Sequence, residues 1–352
     1  MTVAAPPRFP VNPPRPQKRR RAGGAAALSH RSTALVTRVS GLLGIVLAAS
    51  LLAACAGSTV QQHDEPVRDA ARSMPGDADA LAGAALQAWA QRDPGQAFAL
   101  IRRAVQHDEN RPDLAWLQIR LCAEIRGCEP APFEARLRRL DPANGVAWLG
   151  ALGRAGDRQD HQAEASLLDA MSRTSRFDLY WTRLVSRLTL ALNAQRASGS
   201  GTKGQPPRRT DDAVLTSTLN DITGWLSRLA TPAFRPLTAA CDPPRAHATG
   251  AAARCASIAA ILQDSDTALA EALGLGIAQR LATPGSPQAA LLDRRIDILR
   301  YRGQSAVAIM EGQAEREKFS AEVLELMKNL SREQDVTGAI LRWAGQPLDP
   351  DG

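Results

Sequence analysis

Apolar side chains recur three and four residues apart along residues 81–105, a spacing that suits one face of a helix and no strand. Leu81, Ala84, Ala85 and Ala88, with Trp89, fall at i, i+3, i+4 and i+7, and Ala97, Leu100, Ile101, Ala104 and Val105 repeat the pattern. Asp93-Pro94-Gly95 separates the two faces as a turn. The two stretches read as a helical hairpin. Ala and Leu dominate the chain, aromatics make up only 4%, and β-branched runs long enough for a strand are scarce. The expected class is all-α.

The same periodicity continues downstream. Residues 197–210 (ASGSGTKGQPPRRT) hold no apolar side chain larger than Ala and read as a flexible linker or loop. Asp211 or Asp212 is the expected N-cap of a helix with Leu215, Leu219, Ile222, Leu226 and Leu229 on one face. Leu269, Leu273 and Ile277 mark another stripe. Ser286 caps a helix that has Pro287 at its first position and Leu292, Ile296 and Leu299 on its inner face. Residues 305–330 suggest one long helix, with Phe319, Val323, Leu326 and Leu330 along one side. Ser331-Arg332-Glu333-Gln334 fits a capping box that opens a last helix through Trp343. Residues 211–345 thus form a C-terminal helical region.

Trp116 and Trp148 stand 32 residues apart, and Tyr180-Trp181 follows 32–33 residues later. A period near 34 marks helical repeats. Residues 78–196 resemble the tetratricopeptide repeat (TPR) family. The stretch RDPGQAFALIRRAVQHDEN aligns with the second half of such a repeat, with Ala97 and Ala104 at its two helix-crossing positions. Asp141-Pro142-Ala143-Asn144, followed by Trp148, is similar to the family's inter-repeat turn and the Trp that opens the next helix. The Leu-Gly pair expected after each Trp is out of register, and Pro132 sits near a crossing position. The resemblance implies an α-solenoid of TPR-like hairpins followed by further helices, in which each hairpin buries its apolar face against its neighbours. In it, Ala97, Ala104, Trp116, Pro142, Trp148 and Trp181 are packing positions.

Charge divides the chain in two. The whole carries 43 Lys+Arg and 36 Asp+Glu, for a net +7. Residues 1–54 hold eight of the basic residues and no acid, which leaves 35 basic against 36 acidic residues over 55–352. That near-neutral body lacks the basic footprint of a nucleic-acid binder. The basic leader runs into GLLGIVLAASLLAA at 41–54, an uncharged stretch of 14. As a helix it would span roughly 21 Å, short of the ~30 Å bilayer core. Basic residues ahead of a short apolar run match a secretory signal peptide. The run ends in Leu52-Ala53-Ala54-Cys55, which resembles the lipobox of bacterial lipoproteins. That resemblance implies lipidation at Cys55 after cleavage of residues 1–54, and a tether over 55–77. Two or three acyl chains would hold such a protein on the membrane. Ala56 stands where an Asp would retain a Gram-negative lipoprotein in the inner membrane, so the implied address is the outer membrane, facing the periplasm. The basic leader is long for a signal peptide and holds six Pro within residues 1–16, so a start further downstream, near Leu35 or Val36, is expected.

Four cysteines remain: Cys122, Cys128, Cys241 and Cys255. An even count in an exported chain suggests disulfides. Three pairings are open, and the local one, Cys122–Cys128 with Cys241–Cys255, is the simplest. Neither spacing matches the tight pairs of a zinc site, and no metal or cofactor is expected.

Signals for chemistry are weak. His63, His107, His161 and His247 form no helical pair. Gly274-Leu275-Gly276 lacks the preceding strand and third glycine of a dinucleotide loop, and close helix packing explains it better. Glu322 and Glu325 sit in no context known from envelope glycan-cleaving enzymes. Arg102, Arg103, Arg136, Arg138 and Arg139 read as a solvated helix face. The sequence therefore points to an outer-membrane-anchored scaffold or adaptor for a protein partner. The alternative is a cell-envelope hydrolase whose catalytic residues carry no recognisable pattern. Two carboxylates converging in an apolar pocket would favour the enzyme.

Overall fold

The structure is a computed structural model that describes residues 77–199, 210–230, 234–313 and 319–351. Leu52, Ala53, Ala54, Cys55 and the tether up to residue 76 lie outside the described residues. Those described contain fifteen α-helices and no strand, so the chain is all-α.

Capping residues set the helix starts. Asp77 opens α1 (Ala78–Ala90), its carboxylate accepting the Asp79 N–H at 3.0 Å. Asp93 opens α2 (Pro94–His107) by accepting the Gln96 N–H at 2.9 Å, with Pro94 at the first helical position. Between them the chain reverses at Arg92, whose φ is +66°. The expected turn and hairpin are both present. α3 (Pro112–Ala123) and α4 (Ala131–Leu140) follow, then a short 3₁₀ turn, Gly145–Trp148. α5 (Leu149–Asp157) and α6 (His161–Ser172) form another hairpin, and α7 (Trp181–Gly199) pairs with α8 (Thr210–Arg228). The helix boundaries narrow the linker: α7 continues through Gly199, and Asp211 and Asp212 lie inside the first turn of α8.

Ala82, Ala85, Ala97 and Ala104 are fully buried. These small side chains let α1 and α2 approach closely, while Leu86, Ile101, Leu114 and Leu117 fill the space beside them. α2 also packs on α3, and α3 on α4, in chain order. The return of the chain was not visible in the repeat pattern. α1 packs against α7 and α8 as well as α2. An open solenoid buries each hairpin against its neighbours in sequence alone; here a later hairpin covers the first.

Two short helices, α9 (Arg235–Ala240) and α10 (Pro243–Ala248), lead to the hairpin of α11 (Ala252–Gln263) and α12 (Ala268–Leu281). Then come α13 (Pro287–Gln313), α14 (Phe319–Asn329) and α15 (Glu333–Trp343). Ser286 caps α13 as expected, accepting the Ala289 N–H at 3.2 Å. Of the stretch expected as a single helix over 305–330, the described residues form the end of α13 and α14, which carries the apolar stripe and in which Phe319 and Val323 are buried. α14 packs on α7 and α8, and α15 on α13.

The capping box at 331–334 does not form. Arg332 occupies the N-cap position with no side-chain cap bond. The Glu333 carboxylate instead accepts the Ala268 N–H at 2.9 Å, closing the start of α12. Gln334 donates to the Ser265 carbonyl at 3.3 Å, and the Ser331 carbonyl accepts from the Thr182 hydroxyl at 2.9 Å. The residues of the motif cap and brace other helices because α12 and α7 run against the turn before α15.

Candidate functional site

The four cysteines form two local disulfides, Cys122–Cys128 and Cys241–Cys255. The first ties the end of α3 to the residue after Gly127, whose φ of +81° suits glycine. The second joins the end of α9 to α11, with both cysteines fully buried.

The turn at Asp141-Pro142-Ala143-Asn144 is the centre of a buried polar knot. Pro142 is exposed and carries the chain round the outside, whereas Asp141 and Asn144 point inward. The Asp141 carboxylate pairs with Arg176 at 2.5 Å and accepts the Tyr180 hydroxyl at 2.5 Å and the Asn144 amide at 3.2 Å. Burial by itself would raise the Asp141 carboxyl; the bonds from Arg176 and Tyr180 outweigh it and hold the group below its ordinary value. Burial and the same carboxylate push the Tyr180 hydroxyl up. Asn144 accepts the Val146 and Asp178 N–H groups at 3.2 and 2.9 Å.

Tyr180 has a φ of +59°, a conformation bulky residues rarely adopt. Its neighbours hold it there. The Asp178 carboxylate accepts the Tyr180 N–H at 2.7 Å, and Asp266 accepts the Leu179 and Trp181 N–H groups at 2.7 and 2.9 Å. Three successive N–H groups at the start of α7 thus meet two carboxyl groups, where the helix dipole also favours negative charge. Asp178 and Asp266 bond to each other, and burial together with Asp178 raises the Asp266 carboxyl well above its ordinary value. These are two converging carboxyl groups, but they sit under a helix end rather than in an apolar pocket.

The other buried carboxylates are also matched. Asp113 takes two bonds from Arg111, at 2.6 and 2.8 Å; Glu134 takes two from Arg154, at 2.5 and 2.8 Å; Glu164 pairs with Arg245 at 2.5 Å. Arg120, almost wholly buried, donates to the Leu226 and Leu229 carbonyls at 2.8 and 2.9 Å and so closes the C-terminus of α8. Burial pushes its guanidinium down to about 10. One turn on, the Glu124 carboxylate accepts the Ala230 N–H at 2.9 Å.

The repeat positions are spread through the fold. Ala97 and Ala104 line the α1–α2 contact, and Trp116 is buried within α3. Trp148 is half-buried with the Arg138 guanidinium 5.0 Å above its ring, and Trp181 opens α7. Arg102, Arg103 and Arg139 are exposed, whereas Arg136 and Arg138 donate to the Glu109 and Ala147 carbonyls at 2.9 and 3.0 Å.

A shallow concavity of about 460 Å³ is lined by Arg235, Thr238, Ala239, Asp242, Arg245 and Arg280. No motif announces it, because its arginines come from α9, α10 and α12. Asp178 and Asp266 were equally hidden; the only local sign was a run of turn-forming residues before each helix. Among the described residues no three His, Cys, Asp or Glu side chains gather as a metal site requires, and no helix is long and apolar enough to cross a membrane. The chain matches no family model, no curated protein and no solved structure.

Proposed function

We propose that this chain is a lipid-anchored protein of the bacterial cell envelope, on the periplasmic side of the outer membrane, whose helical body is a scaffold for a protein partner. The observation that carries the scaffold reading is the use of the buried carboxyl groups. Asp113, Glu134, Asp141, Glu164 and Asp266 are each engaged by an arginine or by the N–H groups of a helix end. Groups committed in this way hold a surface rigid, and rigid presentation lowers the entropic cost of binding. The helices from α1 to α7 are proposed as TPR-like repeats, with α8 joining α7 in covering α1. The two disulfides suit an oxidising compartment, and Leu52-Ala53-Ala54-Cys55 supplies the anchor.

Two experiments test the two halves. Cys55→Ser is expected to release the protein from washed membranes into the soluble fraction; continued membrane association refutes the anchor. Crosslinking in intact cells, followed by mass spectrometry, is expected to enrich one partner protein. Recovery of none from a well-expressed, folded protein counts against the scaffold.

A further inference from the structure

Three arginines from three helices line the concavity beside α9: Arg235 from the start of α9, Arg245 from α10 and Arg280 from the last turn of α12. Arg235 and Arg280 are exposed, and no carboxylate among the described residues pairs with either. Arg245 differs. Glu164, almost buried on α6, holds it at 2.5 Å and so fixes where its remaining N–H groups point. Asp242 is the one acid in the lining, and it pairs with none of the three. Counting Glu164 and Asp242 against the three guanidiniums leaves the concavity with one excess positive charge, which favours an anion.

We propose that this concavity binds a phosphate group. The geometry favours phosphate over carboxylate on donor count. A guanidinium is a planar fork whose parallel N–H groups match two oxygens of an oxyanion. One fork satisfies the two oxygens of a carboxylate, which leaves the other two arginines without a role. The two free forks of Arg235 and Arg280, with the N–H groups that Glu164 leaves to Arg245, suit the several oxygens of a phosphate. The concavity is shallow and open, so it has room for a phosphate carried by a larger molecule as well as for the free ion. Asp242 opposes the bound charge and sets a limit on affinity. This inference is independent of the anchor and of the protein partner proposed above.

The test is calorimetric titration of the purified full chain, in a phosphate-free buffer and a maltoside detergent. The probes are inorganic phosphate, glycerol 3-phosphate, the diester glycerophosphoglycerol, and acetate. Saturable binding of at least one phosphate probe at about millimolar concentration is expected, with acetate weaker by tenfold or more. Arg235→Gln and Arg280→Gln should each weaken binding by roughly tenfold, Asp242→Asn should tighten it, and Arg102→Gln, on the exposed face of α2, should leave it unchanged. Added salt should weaken it. Preference for the diester identifies a lipid headgroup as the source, and preference for the ion or monoester identifies a soluble phosphate. Thermal melts confirm that the variants fold, which is expected because Arg235 and Arg280 are exposed. The proposal is overturned if no phosphate probe saturates, if acetate binds equally well, or if folded Arg235→Gln and Arg280→Gln proteins bind as the parent does.

Discussion

Gly274 and Gly276 lie two residues apart in α12, and the same substitution should act on them with opposite sign. A Cβ on Gly274 would stand 2.7 Å from the Ala259 carbonyl oxygen, 2.7 Å from the Leu262 Cβ and 2.8 Å from the Gln263 nitrogen, all on α11. Comfortable contact needs about 3.5–4.0 Å, so α11 and α12 would have to part by roughly 1 Å. Two of the three obstructing atoms are backbone, which no rotamer change relieves. Overpacking of this kind costs about 1–3 kcal/mol, with a rigid obstacle at the upper end. Ala in place of Gly returns about 0.8–1 kcal/mol of helix propensity. The net for Gly274→Ala is a loss of about 1–2 kcal/mol. A Cβ on Gly276 meets only the tip of Arg280, at 3.9 Å, so Gly276→Ala keeps the propensity gain alone. At about 2–4 °C per kcal/mol for a body of this size, the melting midpoint should fall by roughly 2–8 °C in the first variant and rise by roughly 2–4 °C in the second. Calorimetric or circular-dichroism melts of the two proteins beside the parent measure this. Equal shifts, or a rise for Gly274→Ala, would refute the claim that contact between α11 and α12 requires that glycine.

Arg120→Met leaves the Leu226 and Leu229 carbonyls without their donor and should lower stability by at least ~2 kcal/mol, read as the urea midpoint; an unchanged midpoint removes the clamp. The folded Asp266 carboxyl is raised above its ordinary value of 3.8, so its contribution to stability is present in acid and falls as pH rises through the raised value. Asp141 is lowered, and its contribution is lost only as pH falls below 3.8. Urea midpoints between pH 4 and 8 should therefore decline with rising pH, and Asp266→Asn should flatten the decline; an identical slope in the variant refutes the assignment. Removing Cys241–Cys255 should cost about 3 kcal/mol for its loop of ~15 residues, and removing Cys122–Cys128, which closes the shorter loop, about 2 kcal/mol. Cys128 is partly exposed while Cys241 and Cys255 are fully buried, so mild reductant followed by alkylation and mass spectrometry should label the first pair before the second.

Much of the local structure was legible. The 3.6-residue period located the α1–α2 hairpin and its buried Ala97 and Ala104, because an amphipathic face writes itself into a short stretch of chain. Ser286 and Pro287 were readable as a helix start because a cap acts within three residues. The capping box at 331–334 was misleading for the same reason turned round. Glu333 has the local option of its own helix end, but the start of α12 offers it an unpaired N–H, and tertiary packing decides between equivalent donors. The polar knot was illegible: Asp141, Asp178 and Asp266 come from three separate turns, and no spacing rule links them.

The sequence alone determined the all-α class, the short apolar run ending at Cys55 and the even cysteine count, since each depends on composition or on neighbours along the chain. Only the tertiary structure decided that α7 and α8 return to cover α1, that the cysteines pair locally, and that arginines from α9, α10 and α12 share one concavity. The physical reason is range. Helix formation is governed by bonds four residues apart, whereas burial and charge pairing depend on which surfaces meet after the chain has turned.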